Sequence, residues 1–182
     1  MLAWASSSRT PLRELGFVRP RSWPAAIVIG IVLGIALKLV MKAVVMPLFG
    51  APPINQAYQF FVGNRAAVPG MLYAVIAGAA FGEETFFRGF AFERLRQLFG
   101  SSTRAMIAII VLTSLLFGVV HYPEQGLPGV QQAVIVGLVL GAIFARTGSL
   151  AVPMIAHAAF DLTALWIIYF GHEEEIARSI FR

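Results

Sequence analysis

The stretch FGEETFFRGF, residues 81–90, decides how this chain is read, because it sets two glutamates and an arginine inside an otherwise apolar run. The residues before it, VPGMLYAVIAGAA (68–80), and those after it, to about Leu98, continue the same helical pattern. A charge near the centre of a bilayer costs at least about 2.5–3.5 kcal/mol, so Glu83, Glu84 and Arg88 need partners or a task. Arg88 follows Glu84 by four residues, which puts the two on one helical face and predicts an ion pair. Glu83 sits about 100° around the helix and must face something else.

Working outward, composition supports a membrane setting. The chain has 182 residues, 58% of them hydrophobic and 13% charged, with a mean hydropathy of +0.78. A soluble domain is typically about 25% charged, so the fold class expected is all-α, a polytopic transmembrane helical bundle. There is no cysteine, which excludes disulfides, thiolate metal sites and cysteine nucleophiles. The net charge of +5 does not point to nucleic acid; in a membrane protein, excess arginine mainly sets orientation.

Runs of about 20 apolar residues predict five spans: Pro24 to Val45, Val68 to Leu98, Arg104 to Val120, Val130 to Ala145 and Ser149 to Phe170. Pro24 suits a helix start. Gly100 can stop the second helix, and Ser101, Ser102 or Thr103 can cap the third. Residues 46–67, with Pro47, Pro52, Pro53 and Gly63, read as a loop or a short interfacial piece. The organisation predicted is a cytoplasmic flank over 1–23, a core over 24–170 with its motifs within 68–165, and a solvated tail over 171–182, in which His172 precedes Glu173, Glu174 and Glu175.

With the N-terminus cytoplasmic, that side collects Arg9, Arg13, Arg19, Arg21, Arg94, Arg96, Arg104 and Arg146. Lys38 and Lys42 then fall near the outer end of the first span, where they are expected to snorkel. The Arg- and Ala-rich composition points toward a bacterial cell (inner) membrane. Three glycine pairs, Gly30/Gly34, Gly78/Gly82 and Gly137/Gly141, predict close helix packing.

Two further spans carry ionisable groups. FGVVH (117–121) ends the third helix at His121, and HAAFD (157–161) places His157 and Asp161 on one face of the fifth. Glu83 precedes Ser101 by 18 residues and His121 follows it by 20, so a helical hairpin brings the two to similar height. Convergence of Glu83, Glu84, His121, His157 and Asp161 is therefore expected, although His121 beside Tyr122 and Pro123 also suits a membrane interface. Ser114, in TSLLFG, lacks a glycine-flanked nucleophile setting and reads as a backbone-bonded membrane serine.

Such a cluster can do chemistry. A carboxylate beside a neutral imidazole can take a proton from water. A second histidine with a hydrogen-bonding neighbour can stabilise the oxyanion formed at a carbonyl. The same side chains could hold Zn²⁺ with three protein ligands and a water, the candidates being Glu83, His121, His157 and Asp161. Spacing leaves the metal open. A proton-coupled transporter also uses such sets, but no inverted repeat or pair of broken helices is visible. A non-catalytic binding or immunity protein is the third reading; the presence of Glu83, His121 and His157 together disfavours it.

EETFFRG resembles the EExxxR motif of the CAAX-protease and bacteriocin-processing (CPBP/Abi) family of intramembrane proteases. FGVVH resembles its FxxxH motif and HAAFD its third, usually HxxxN, all in order and within residues 68–165. RELGFVRPRSW (13–23) is similar to the segment that often precedes the core. The resemblance implies a peptidase acting on a membrane-bound or lipidated, CAAX-like substrate, with its cavity open toward the cytosol. It implies that Glu83 and His121 activate water, that Glu84 and Arg88 support the site, and that His157 and residue 161 bind the oxyanion. Asp161 stands where asparagine is usual; ionised, it would repel an oxyanion, so it must be protonated, orient His157 or bind a metal. The family is described both as metalloprotease and as glutamate-type. Members of the family often carry further spans before the core.

Overall fold

The computed structural model describes residues 10–181. Among them the chain is all-helical, with five helices long and apolar enough to cross a membrane: α1 Trp23–Leu48, α2 Arg65–Phe99, α3 Thr103–Val120, α4 Tyr122–Thr147 and α5 Ala151–Tyr169. A short α6, Glu173–Ala177, follows. Local chemistry explains the boundaries. Ser22 accepts from the Ala25 N–H with Pro24 in the first turn, and Ser102 accepts from the Ala105 N–H to start α3. Gly100 ends α2 with φ 81°, a conformation that disfavours a side chain.

The apolar stripes are weak because most side chains face lipid, so packing depends on close approach. α1 runs alongside α5 in the same direction, and α3 pairs with α4. Gly30 lies against Ile155, and a Cβ on Gly34 would collide with the Ala156 carbonyl oxygen and the Ala159 methyl. Gly137 rests on Ser114 and Gly141 on Ile110. The pair Gly78/Gly82 is different: a Cβ on Gly78 would meet nothing within 4 Å, and one on Gly82 would meet only the Ala77 carbonyl of its own helix. Close packing is therefore not what these two glycines provide. Gly34→Leu is expected to lower stability by at least about 1–3 kcal/mol through overpacking. Gly78→Ala should leave it unchanged or raise it. Thermal unfolding in detergent separates the two, and equal melting temperatures would refute the packing account.

α2 departs from the expected regular helix. It has π-helical geometry over Ala74–Glu83 and again over Thr85–Ala91, flanking Glu84. Such widened turns leave carbonyls poorly satisfied, and the Thr85 hydroxyl donates to one of them, Phe81 O, at 2.6 Å. The fourth span begins earlier than expected, at Tyr122, but Gly126 (φ 61°, ψ −159°) breaks it just before Pro128.

One end of the bundle carries the Leu12–Leu15 turn, the start of α1, residues 100–102 and the α4–α5 junction; there Leu150 N–H donates to Gly16 O, and Phe92, Ile109, Phe144 and Leu150 cluster. The other end carries residues 49–64, the break at Gly126 and α6, closed by Phe61, Val75, Leu165 and Ile168. At this second end the expected solvated tail folds back. Glu173 is buried and accepts from Lys42 (2.9 Å), the Asn55 N–H (3.1 Å) and Gln59 (3.0 Å). Lys42 also donates to Pro53 O at 2.6 Å. Neither lysine snorkels: Lys38 is 8% exposed, donates to Gln132 Oε1 and lies 4.9 Å from the Phe160 ring centre. Both charges find partners within the bundle because the loop, α4 and α6 fold over this end.

Candidate active site

Glu84 is the hub. The four-residue spacing in α2 brings Arg88 Nη1 to within 2.7 Å of Glu84 Oε1, with both side chains almost completely buried. From α5, His157 Nδ1 approaches the same oxygen to 2.8 Å. Since an ionised carboxylate only accepts, Nδ1 must carry a hydrogen. Arg88 is held further by donating to Gly137 O at 3.3 Å, and its guanidinium carbon lies 4.7 Å from the Phe117 ring centre. A buried pair of this kind is stable only while every member stays satisfied. Here Phe117, Gly137 and His157 supply the wall around it.

This hub turns His157 Nε2 toward two carboxylates, Glu83 Oε2 at 3.8 Å and Asp161 Oδ2 at 3.5 Å. Glu83 keeps a third of its side chain exposed, and its Oε2 has no hydrogen-bond partner. Glu84 Oε2 is likewise unpartnered. Buried polar oxygens without protein partners are places where water binds. His121 ends α3, with Nδ1 2.7 Å from the carbonyl of Phe117. That contact makes Nδ1 the donor and leaves Nε2 as acceptor. The Phe117 ring meets His121 and His157 edge-on, with centroids 4.7 and 5.8 Å away.

Glu83, His121, His157 and Asp161 all line one cavity of about 550 Å³. Arg88 and Glu84 lie behind its wall. The cavity also takes in Gly78, whose missing side chain leaves room there. It runs toward the second end of the bundle, where Tyr58, Glu124 and Gln125 border it. Gln125 donates to the Tyr58 hydroxyl at 3.2 Å, and burial pushes that phenol above the usual tyrosine range. Ser114 takes no part; its hydroxyl donates to Ile110 O at 2.7 Å.

A family model described as type II CAAX prenyl endopeptidase Rce1-like matches residues 65–163, which is 163 − 65 + 1 = 99 of the 182 residues. The chain belongs to the Rce1-like family. Comparison with curated proteins and with solved structures gave no match. The matched segment of this Rce1-like chain begins with α2 and ends in α5, so it contains all three motifs and every side chain of the hub. Family and apolar helices together make it an integral membrane protein of the CAAX-protease type.

Among the described residues no group of three His, Asp or Glu side chains is spaced to hold an ion. Each histidine of the Rce1-like core has its Nδ1 engaged, one by Glu84 and the other by Phe117 O, which leaves Nε2 as the nitrogen open to a ligand. Sequence reasoning missed the tie between His157 and Glu84, which spans 73 positions, and the role of Lys38 and Gln132 in the cavity wall. Only the excess of amides near the α4 start (Gln125, Gln131, Gln132) could have signalled the latter.

The cavity extends toward the end of the bundle away from the Leu12–Leu15 turn and the α4–α5 junction, bordered there by Tyr58, Glu124 and Gln125.

Proposed function

We propose that the protein is an intramembrane endopeptidase in which Glu83 activates a water for attack on a peptide carbonyl. The observation that carries this reading is Glu83, whose side chain borders the cavity with Oε2 unpartnered and 3.8 Å from the nitrogen of a histidine locked by a buried ion pair. The water gives one hydrogen bond to Glu83 and one to His121 Nε2. Glu83 takes a proton, the hydroxide oxygen bonds to the carbonyl carbon, and the carbonyl π electrons move onto its oxygen. His157, with both ring nitrogens protonated, donates Nδ1–H to Glu84 and Nε2–H to that oxyanion. As the oxyanion electrons re-form the C=O and the C–N bond breaks, Glu83 passes its proton to the departing amine, which leaves carboxylic acid and amine products. Preorganised donors aimed at developing charge in a site shielded from bulk water are the largest single contribution in such reactions.

Asp161 lies within 3.5 Å of His157 Nε2 and balances the imidazolium rather than touching the carbonyl. Glu84 and Arg88 act through His157 and are positioning residues. The substrate class supported is a membrane-bound or lipidated peptide of CAAX type. The arginine distribution favours a cytoplasmic N-terminus, which puts the Tyr58 and Glu124 end of the cavity toward the opposite side of the membrane.

The test is a membrane-wide search for new protein termini in cells expressing either wild type or Glu83→Gln. Termini unique to wild type, in segments facing the extracytoplasmic side, are expected. If equal, folded expression yields none, the peptidase reading fails; termini confined to cytoplasmic segments would overturn the orientation.

A further inference from the structure

Apart from its two histidines, every charged residue lining the 550 Å³ cavity is acidic except one. Glu83, Glu124 and Asp161 carry negative charge; Lys38 alone, among the described residues, brings an ammonium. Its surroundings are unusual for a lysine. It is buried on α1, outside the family-matched segment. Its ammonium group donates to Gln132 Oε1 over a long 3.3 Å, sits on the face of Phe160, and is in no ion pair among the described residues. Asp161 and Glu173 act on it only through space. The neighbouring Lys42, by contrast, is committed to Glu173 and Pro53 O.

An ammonium has three donors, and Gln132 accounts for one. Burying a cation without a bonded counter-ion is costly, so a position of this kind implies an anion supplied from elsewhere. Lys38 also borders a second cavity of about 330 Å³, contiguous with the first through Gln132, Ala164 and Ile168. One side of that space is walled by Met46, Pro47, Ala51 and Ile54, which suit aliphatic side chains, and the other carries the Lys42–Glu173 pair, Glu124 and amides. Phe160, which carries Lys38 on its ring, lies between His157 and Asp161 along α5, and Lys38 lines the same cavity as those two residues.

We infer that Lys38, with the Gln132 amide beside it, binds the free C-terminal α-carboxylate of the peptide, so that the enzyme measures its cut from the chain end. This rests on the peptidase reading above. The carboxylate pairs with the two remaining ammonium donors, the terminal side chains lie against the Met46, Pro47, Ala51 and Ile54 wall of the second cavity, and the carbonyl a few residues upstream reaches Glu83. An internal peptide segment lacks the anion and leaves Lys38 unpaired, which discriminates against it.

The experiment uses the full chain in nanodiscs and one prenylated, fluorescently quenched CAAX-type peptide made both as free acid and as C-terminal carboxamide. The wild type is expected to cleave the acid at least tenfold more efficiently, the difference lying in KM, and Lys38→Met to bring the acid-to-amide ratio to about one. Lys38→Arg should keep the preference. Binding of the same two peptides to Glu83→Gln, read by anisotropy, is expected to show the same ratio without turnover. The same variant carrying Lys38→Met should show none. Cleavage of acid and amide at equal rates, or an equal loss on both in Lys38→Met, overturns the assignment. Tighter binding of the acid with no hydrolysis by wild type would sink the peptidase reading and leave the Lys38 site standing. If neither peptide discriminates but phosphatidylglycerol raises the melting temperature of wild type and not of Lys38→Met, the anion is a lipid phosphate and the carboxylate assignment falls.

Discussion

Glu83→Gln is expected to lower kcat for hydrolysis of a prenylated peptide by about 10²–10⁴, the usual contribution of a positioned general base. The melting temperature should not change. The reason is on the side chain itself: Glu83 Oε2 has no hydrogen bond and the group borders the cavity, so an amide of the same shape gives up only the 3.8 Å ion pair with His157, to which Asp161 stays closer at 3.5 Å. KM should also be nearly unchanged, because the proton is taken after binding. Steady-state kinetics on purified wild type and variant, with melting curves for both, checks each part. Turnover by Glu83→Gln at the wild-type rate would remove Glu83 from the role of base. Lost turnover accompanied by lost stability would reassign it to structure.

Arg88→Met should have the larger effect on stability, a loss of about 3–5 kcal/mol, because it removes the guanidinium that compensates the fully buried Glu84 carboxylate and leaves His157 as its one partner. A companion change isolates the cause. Glu84→Gln combined with Arg88→Met removes both charges, so the double variant is expected to recover most of the stability that Arg88→Met alone loses. Activity should not recover with it. In the double variant His157 Nδ1 faces a neutral amide instead of a carboxylate, so the imidazolium loses its closest counter-charge and its fixed orientation. A melting temperature for Arg88→Met equal to wild type would show that Arg88 is not what compensates Glu84. Full activity in a stable double variant would show that Glu84 does not act through His157.

These two expectations differ because adjacent glutamates in one helix meet different surroundings. Glu84 turns into the protein against Arg88, Gly137 and His157; Glu83 turns into the cavity. The pairing of Glu84 with Arg88 was legible from spacing alone, since i and i+4 share a face in nearly any helix and α2 keeps that relation through its widened turns. That Glu83 would look elsewhere was legible too. What it looks at was not, because His157 lies on another span.

The number of spans, their approximate limits and the three motifs could all be read from local properties: about 20 apolar residues for each crossing, Ser22 and Ser102 as caps, and Gly100 as a stop. Gly30, Gly34, Gly137 and Gly141 read correctly as contact points, whereas Gly78 and Gly82, with the same spacing, do not pack against another helix. A small-residue pair marks a face where a backbone can approach; whether a neighbour or a cavity fills that space depends on the other helices. The polar residues outside the motifs were misread for the same reason. Lys38 and Lys42 looked like interfacial lysines and Glu173 like part of a solvated tail, yet Lys42 and Glu173 form a buried pair across 131 positions.

By itself, then, the sequence determined the properties that depend on neighbours along the chain: helices long enough to cross a bilayer, an intrahelical ion pair, and a set of ionisable groups too costly to be incidental in lipid. The tertiary structure alone decided which groups meet: His157 on Glu84, Glu83 on the cavity, Lys38 beside Gln132 and Phe160, and Glu173 on Lys42. Hydrogen bonds and ion pairs act over about 3–4 Å. Such separations between residues 73 to 131 positions apart are fixed by how helices pack, which no local pattern encodes.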